Sequence, residues 1–182
     1  MRIIAGIRRG HKLVEPEGMA VRPTTDRVKE SMFNLLMPYL PDSRVLDLFS
    51  GSGALACEAV SRGAREAVCV DQDKRSVEVI RKNRDSLHFE QQIQIIHQSA
   101  EAYLKSADGM FDLILLDPPY NQGLIKPVLK AIVRQERLAE DGVVLLESDS
   151  TDDRPEVDGL SVIKQRRYGR TYVTVYKKEI KG

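Results

Sequence analysis

The chain has 182 residues, 42% of them apolar and 30% charged, with a formal net charge of +1 and two cysteines. That length suits one domain with a sizeable core, and that composition is ordinary for a soluble globular protein. With no apolar run long enough to span a membrane and no basic-then-apolar leader, neither a membrane span nor a signal peptide is expected, and two isolated thiols fit a cytoplasmic location.

The net charge is unevenly divided. Residues 1–14 carry Arg2, Arg8, Arg9 and Lys12 without an acid, and residues 161–182 carry seven Lys or Arg against Glu179 alone. The remainder is acidic. Two basic ends on an acidic middle point to an anionic partner touched locally, such as nucleic acid, or else to solvated lysine-rich termini.

Residues 1–14 alternate weakly and are punctuated by Gly6 and Gly10, which suggests a short hairpin bearing Arg8, Arg9 and His11. A polar loop containing Arg22-Pro23-Thr24-Thr25-Asp26 follows, with Thr25 or Asp26 as the N-cap of an amphipathic helix over 26–37. From Arg44 onward, strands and helices alternate. Strands are expected at 45–49, 67–71, 93–97, 111–117 and 142–147, and helices at 54–62, 74–86, 100–106 and 122–138. Two closing strands, 160–167 and 171–177, flank the tight turn Tyr168-Gly169-Arg170 and must run antiparallel to each other. The pattern predicts an α/β, doubly wound, mostly parallel seven-stranded sheet ending in an antiparallel hairpin. Residues 1–40 form a small basic extension and 41–182 the main compact unit.

The stretch Phe111 to Tyr120 reads Phe-Asp-Leu-Ile-Leu-Leu-Asp-Pro-Pro-Tyr. Its apolar run is that of a strand buried on both faces, and ligands of open α/β sheets sit at the carboxyl ends of such strands. A residue before proline is pushed out of the helical region, so Asp117 and Pro118 are both held extended. Prolines lack an N–H, so the Asp117 carboxylate and the Pro118 carbonyl are acceptors free to converge on one group with two hydrogens, such as the exocyclic amine of a nucleobase. Tyr120 offers a face for a planar ring, with base stacking worth about 1–3 kcal/mol. The plainer reading is a rigid turn with an incidental aromatic.

Asp47-Leu48-Phe49-Ser50-Gly51-Ser52-Gly53 joins the first strand to its helix, and Asp71 ends the second strand, placed for ribose hydroxyls. Gly51-x-Gly53-x-x-Ala56 also satisfies the dinucleotide fingerprint, so a nicotinamide enzyme is the competing reading. Asp47, four residues before the first glycine, suits an ammonium or sulfonium better than a pyrophosphate, and Asp117 to Tyr120 has no role in hydride transfer. S-adenosylmethionine is therefore the expected cofactor. Cys57, Cys69, His11, His88 and His97 lack metal or triad spacing, so no metal is expected, and Asp73 suits a helix N-cap.

Asp47 to Gly53, Asp71 and Asp117-Pro118-Pro119-Tyr120 together resemble the class I S-adenosylmethionine-dependent methyltransferases that modify exocyclic amines. Nearly the whole chain resembles more narrowly the RsmD family, which methylates guanine N2 in bacterial small-subunit ribosomal RNA. The resemblance rests on Met1 to Gly6, Arg22 to Val28, Leu46 to Phe49, Glu58 to Ala64, Asp117 to Tyr120 and Tyr168-Gly169. It implies a Rossmann-like class I methyltransferase fold and catalytic roles for Asp117, Pro118 and Tyr120. It also implies a cofactor site of Asp47, Phe49, Ser50, Gly51, Gly53, Asp71, Gln72, Ser99, Ala100 and Asp117, with Arg22 and Thr24 on the active-site floor. The implied partner is small-subunit ribosomal RNA, within a ribosomal particle, with no membrane and no metal. The chain departs from the family in having Ser50 for Ala, Asp71 for Glu, and Gln98-Ser99-Ala100 where an acid is common. A DNA adenine-N6 methyltransferase and a non-catalytic RNA-binding assembly factor are the alternatives.

Overall fold

The computed structural model describes residues 1–17, 26–149 and 155–179. Arg22, Thr24 and Thr25, and residues 150–154 of the loop before the closing strands, lie outside them. Seven strands form one sheet: β1 (Arg44–Leu48), β2 (Glu66–Asp71), β3 (Ile93–His97), β4 (Phe111–Leu116), β5 (Leu138–Asp149), β6 (Leu160–Tyr168) and β7 (Thr171–Lys178). Five helices intervene: α1 (Asp26–Leu36), α2 (Ala54–Ser61), α3 (Lys74–Ser86), α4 (Ala100–Ser106) and α5 (Ile125–Arg134).

The strand order is β3-β2-β1-β4-β5-β7-β6. β1 to β5 pair in parallel, and β7 runs antiparallel to both of its neighbours, so β6 points the same way as the parallel set. The order reverses between β1 and β4, and that switch point opens a crevice at the carboxyl ends of the strands, called here the lip.

Alternation along the strands sends side chains to two cores. Val45, Leu113, Leu115, Leu145, Val173 and Val175 pack with α1, α2 and the Ile80 face of α3. Leu46, Leu48, Ile114, Leu116, Val144 and Leu146 pack with α4 and α5. α2 is buried at all eight of its residues because α1, α3 and the sheet enclose it, which accounts for its Ala-rich, small-residue sequence.

The N-terminal segment packs into the first core through Ile3 and Leu13. Its hairpin is minimal, a single bridge between Arg2 and Lys12. Glu58 on α2 holds it there. One carboxylate oxygen accepts from Ile4 N at 2.9 Å and the other from Ala5 N at 3.1 Å. The same carboxylate pairs with Lys29 at 3.0 Å and Arg62 at 2.8 Å, and the Lys29 and Glu58 side chains are fully buried. Lys29 also donates to the Arg2 carbonyl at 2.7 Å. Gly6 is required at the next turn: with φ +89, a Cβ there would lie 1.9 Å from the Ser61 carbonyl oxygen.

Several boundaries differ from the sequence reading. α1 ends at Leu36 but passes into a 3-10 turn (Met37–Tyr39) that carries Pro38 in its first turn, where no N–H is needed. β4 stops at Leu116, one residue earlier than expected, because Pro118 cannot extend the ladder. α5 is shorter than 122–138. Gly123 at φ +66 delays its start, and Glu136 at φ +55 closes it, with Arg137 N reaching back to the Ile132 carbonyl at 3.0 Å. Leu138 then joins β5 opposite Phe111.

Candidate active site

The β1–α2 loop is a backbone cradle. Phe49, Gly51 and Gly53 all take positive φ, at 59, 62 and 78°. Glycine does so freely, whereas Phe49 is held there by packing against the second core. A Cβ on Gly53 would press on Ile80 Cγ2 at 3.1 Å, so the glycine also permits α2 and α3 to approach. Asn83, fully buried on α3, ties the cradle to the N-terminal segment. Its amide donates to the Ser52 and Val14 carbonyls at 2.8 and 2.9 Å and accepts from Val14 N at 2.8 Å. Sequence reasoning passed over Asn83, which sits as one polar residue in a polar helix.

Asp47 is buried at the base of the cradle. Its Oδ2 accepts from Ser50 Oγ at 2.9 Å and Ala56 N at 3.3 Å, while its buried Oδ1 has no partner among the described residues. Burial pushes its pKa from 3.8 up to about 8; the bonds from Ser50 and Ala56 pull it back, and the charges of Asp117 and Asp71 add to the rise. Asp71, half-buried at the end of β2, accepts from Gly51 N and Asp73 N, each at 2.9 Å. Burial raises its pKa too, against those two bonds. Asp71 thereby holds the glycine turn.

Asp117 follows β4 one residue beyond the Leu48–Leu116 pair, at the switch point. Pro118 is buried, Pro119 exposed and Tyr120 half-buried. The carboxyl ends of three strands thus bring Asp47, Asp71 and Asp117 together with the cradle residues Phe49, Ser50, Gly51 and Gly53. Gln98 N donates to the Asp71 carbonyl at 3.2 Å, which seats Ser99 and Ala100 at the same lip. Ser99 is half-buried and caps α4 by accepting from Ala102 N at 3.1 Å. Gln72 is exposed, and its carbonyl meets His97 Nε2 at 3.0 Å.

Glu147 is a further lip carboxylate that the sequence reading absorbed into a strand. Leu116 pairs with Leu146, so Glu147 occupies the next position along β5, beside Asp117, and it is buried. Asp73 caps α3, accepting from Arg75 N at 2.8 Å. Cys57 and Cys69 are buried free thiols, and burial pushes Cys57 up to about 12, so it is not a nucleophile. Two open polar grooves of about 420 and 480 Å³ flank the β3 edge, and neither includes Asp47, Asp71 or Asp117. They are furrows beside an edge strand, and the convergent chemistry lies at the lip.

Among the described residues no group of three or more His, Cys, Asp or Glu could hold a metal, and no helix is long and apolar enough to cross a membrane.

The lip fits S-adenosylmethionine. A buried carboxylate oxygen with no partner among the described residues suits a cationic donor, backbone turned by two glycines permits close approach, and the half-buried Asp71 carboxylate keeps lone pairs beyond the two it gives to Gly51 N and Asp73 N.

The family model described as conserved hypothetical protein 95 matches residues 1–177. The chain is 39% identical over 182 residues to "Putative rRNA methyltransferase YlbH" of Bacillus subtilis, covering 98% of this chain and 99% of that one. It is 32% identical over 183 residues to "Ribosomal RNA small subunit methyltransferase D" of Escherichia coli, covering 100% and 92%. The solved structure "Putative methyltransferase yhhF from Escherichia coli" superposes with a TM-score of 0.87 at 31% identity, covering 100% and 99%.

Proposed function

The chain belongs to the family described as conserved hypothetical protein 95, the RsmD family, and from that premise we propose that it transfers a methyl group from S-adenosylmethionine to the exocyclic N2 of a guanine in bacterial small-subunit ribosomal RNA. The observation that carries this reading is the position of Asp117-Pro118-Pro119-Tyr120. It leaves β4 directly across the switch point from the Asp47 cradle, so an amine held by Asp117 faces whatever the cradle holds.

When bound, the cofactor supplies an electrophilic methyl on sulfur. The protein's part is to orient. Asp117 and the Pro118 carbonyl accept the two hydrogens of the amine, which turns the nitrogen lone pair toward the methyl and gives the departing proton an acceptor. Tyr120 stacks the ring and limits its rotation. Holding both partners in line supplies much of the rate, because the reaction becomes effectively unimolecular. A base inside a helix cannot reach this lip, so the guanine lies in a loop or open junction, or is flipped out. Asp47 at the base of the cradle favours a cation, its second oxygen having no donor among the described residues.

The test uses methyl-labelled cofactor with unmodified small-subunit ribosomal RNA and with particles assembled from it. Wild type should transfer label to one of these substrates. Asp117→Ala should lose transfer while calorimetry still finds cofactor binding within about threefold of wild type. Label entering only DNA would replace the reading with the DNA one. Cofactor binding without transfer to any nucleic acid would favour the assembly-factor reading.

A further inference from the structure

The open edge of the sheet at β6 has no place in the chemistry above. Its residues from Ser161 to Arg167 are all exposed, on a strand nine residues long. Pairing with β7 sorts them by face. Lys164 opposes Val175 and Arg166 opposes Val173, both valines belonging to the core shared with α1 and α2. Tyr168 packs partly against that same core. Gln165 and Arg167 take the other face, where Gln165 donates to Thr174 Oγ1 at 3.2 Å and Arg167 lies 5.6 Å from the Tyr172 ring centre. By the same alternation, Asp47, Asp71 and Glu147 share the face of Lys164 and Arg166.

Direction matters as much as face. β6 runs with the parallel strands, so its carboxyl end, Tyr168, arrives at the lip, where Asp149 pairs with Thr171. The turn is held there by Arg167 Nε donating to the Gly169 carbonyl at 2.8 Å and by Arg170 facing Asp149 at 3.4 Å. Lys164, Arg166 and Tyr168 therefore form a row, two cations and then an aromatic, that leads along one face toward Asp117. Alternate residues of a strand stand about 6.6 Å apart, a repeat suited to successive phosphates of an extended strand. Among the described residues neither Lys164 nor Arg166 is paired with an acid.

We propose that the β6 edge is the track on which single-stranded RNA flanking the target base is held, Lys164 and Arg166 taking phosphates and Tyr168 stacking the nucleotide next to the lip. This rests on the RNA-methyltransferase reading. Charge on an edge strand can also serve only to deter self-association. That function does not require the cations to share the catalytic face, and the exposed Val162 and Ile163, at 49% and 40%, work against it.

The experiment compares wild type with Lys164→Gln/Arg166→Gln and Arg8→Gln/Arg9→Gln. Binding of unmodified small-subunit ribosomal RNA is measured by anisotropy across a salt series, with KM for the RNA or particle that wild type methylates. The β6 pair should flatten the slope of log K against log salt by about 1.5, roughly 0.7–0.9 for each lost phosphate. It should raise KM about tenfold and leave cofactor affinity unchanged, while the N-terminal pair leaves slope and KM alone. A β6 pair that keeps the wild-type slope and KM overturns the proposal, and so does one that self-associates without losing RNA affinity. If wild type itself transfers no methyl to RNA, the function above fails instead, a result that the wild-type arm reads separately.

Discussion

Two buried carboxylates, Glu58 and Asp47, sit one helix apart and are treated in opposite ways. Glu58 receives two backbone N–H groups, Lys29 and Arg62, so both of its oxygens are answered from within the chain. Asp47 receives Ser50 and Ala56 on one oxygen and, among the described residues, nothing on the other, and burial pushes its pKa up to about 8. The basic residues divide likewise. Arg8 is tied to the Leu87 carbonyl at 2.8 Å and lies 5.6 Å from the Phe89 ring centre, at the carboxyl ends of α2 and α3 and away from the lip. Lys164 and Arg166 stand open on the face that leads to it. The junction closes a fold, whereas the lip is where the proposed chemistry lies.

The strongest test of that contrast is Glu58→Ala. It strands a buried Lys29 and two backbone donors, and losing one partner of a buried pair costs about 3–5 kcal/mol. The thermal midpoint should fall by roughly 10 °C. A midpoint unmoved within a degree or so would make the N-terminal segment an ornament.

Asp47→Asn sharpens the other side. The native carboxyl keeps its proton up to about pH 8, whereas the unfolded one loses it near 3.8. Between those values the folded state binds more protons, so this group's contribution to stability falls as pH rises, by at most about 1.4 kcal/mol per unit. The variant should therefore unfold with a flatter pH dependence, gaining on wild type from pH 5 to pH 8 in chemical denaturation. Cofactor binding should move oppositely, strengthening in wild type as Asp47 ionises and losing that trend in the variant. Parallel pH profiles for the two proteins would remove Asp47 from the account.

Arg8→Ala should cost about 1 kcal/mol of stability, one hydrogen bond with a weak ring contact, and leave RNA affinity unchanged. Arg9→Ala, at an exposed position, should fall within about 0.5 kcal/mol of wild type. A weaker affinity for RNA in either would erase the distinction between the two basic ends.

Much of this was readable from the residues. α3, β3 and α4 fall where apolar spacing and, for α3, the cap Asp73 put them, because local chemistry alone sets those boundaries. Asp71 ends β2, Asp117 follows β4 by one residue and Asp47 stands one residue before the end of β1, so the strand pattern alone sets all three carboxylates at one end of the sheet. What escaped depends on contacts between distant segments. The length of β5 depends on Glu136 taking φ +55, and the role of Glu58 on Ile4, Ala5 and Lys29 arriving from elsewhere. Glu147 looked like a strand residue until the β4–β5 register set it beside Asp117. The two basic ends looked alike in sequence, since charge runs carry no information about which end of a sheet they reach.

The central claim is that Asp117 and Pro118 present a guanine amine to the cradle. The most direct measurement is nucleoside analysis of small-subunit ribosomal RNA after reaction with labelled S-adenosylmethionine. Label is expected in N2-methylguanosine at one site and is expected to be absent with Asp117→Ala. Label in N6-methyladenosine, or N2-methylguanosine still formed by Asp117→Ala at the wild-type rate, would contradict it.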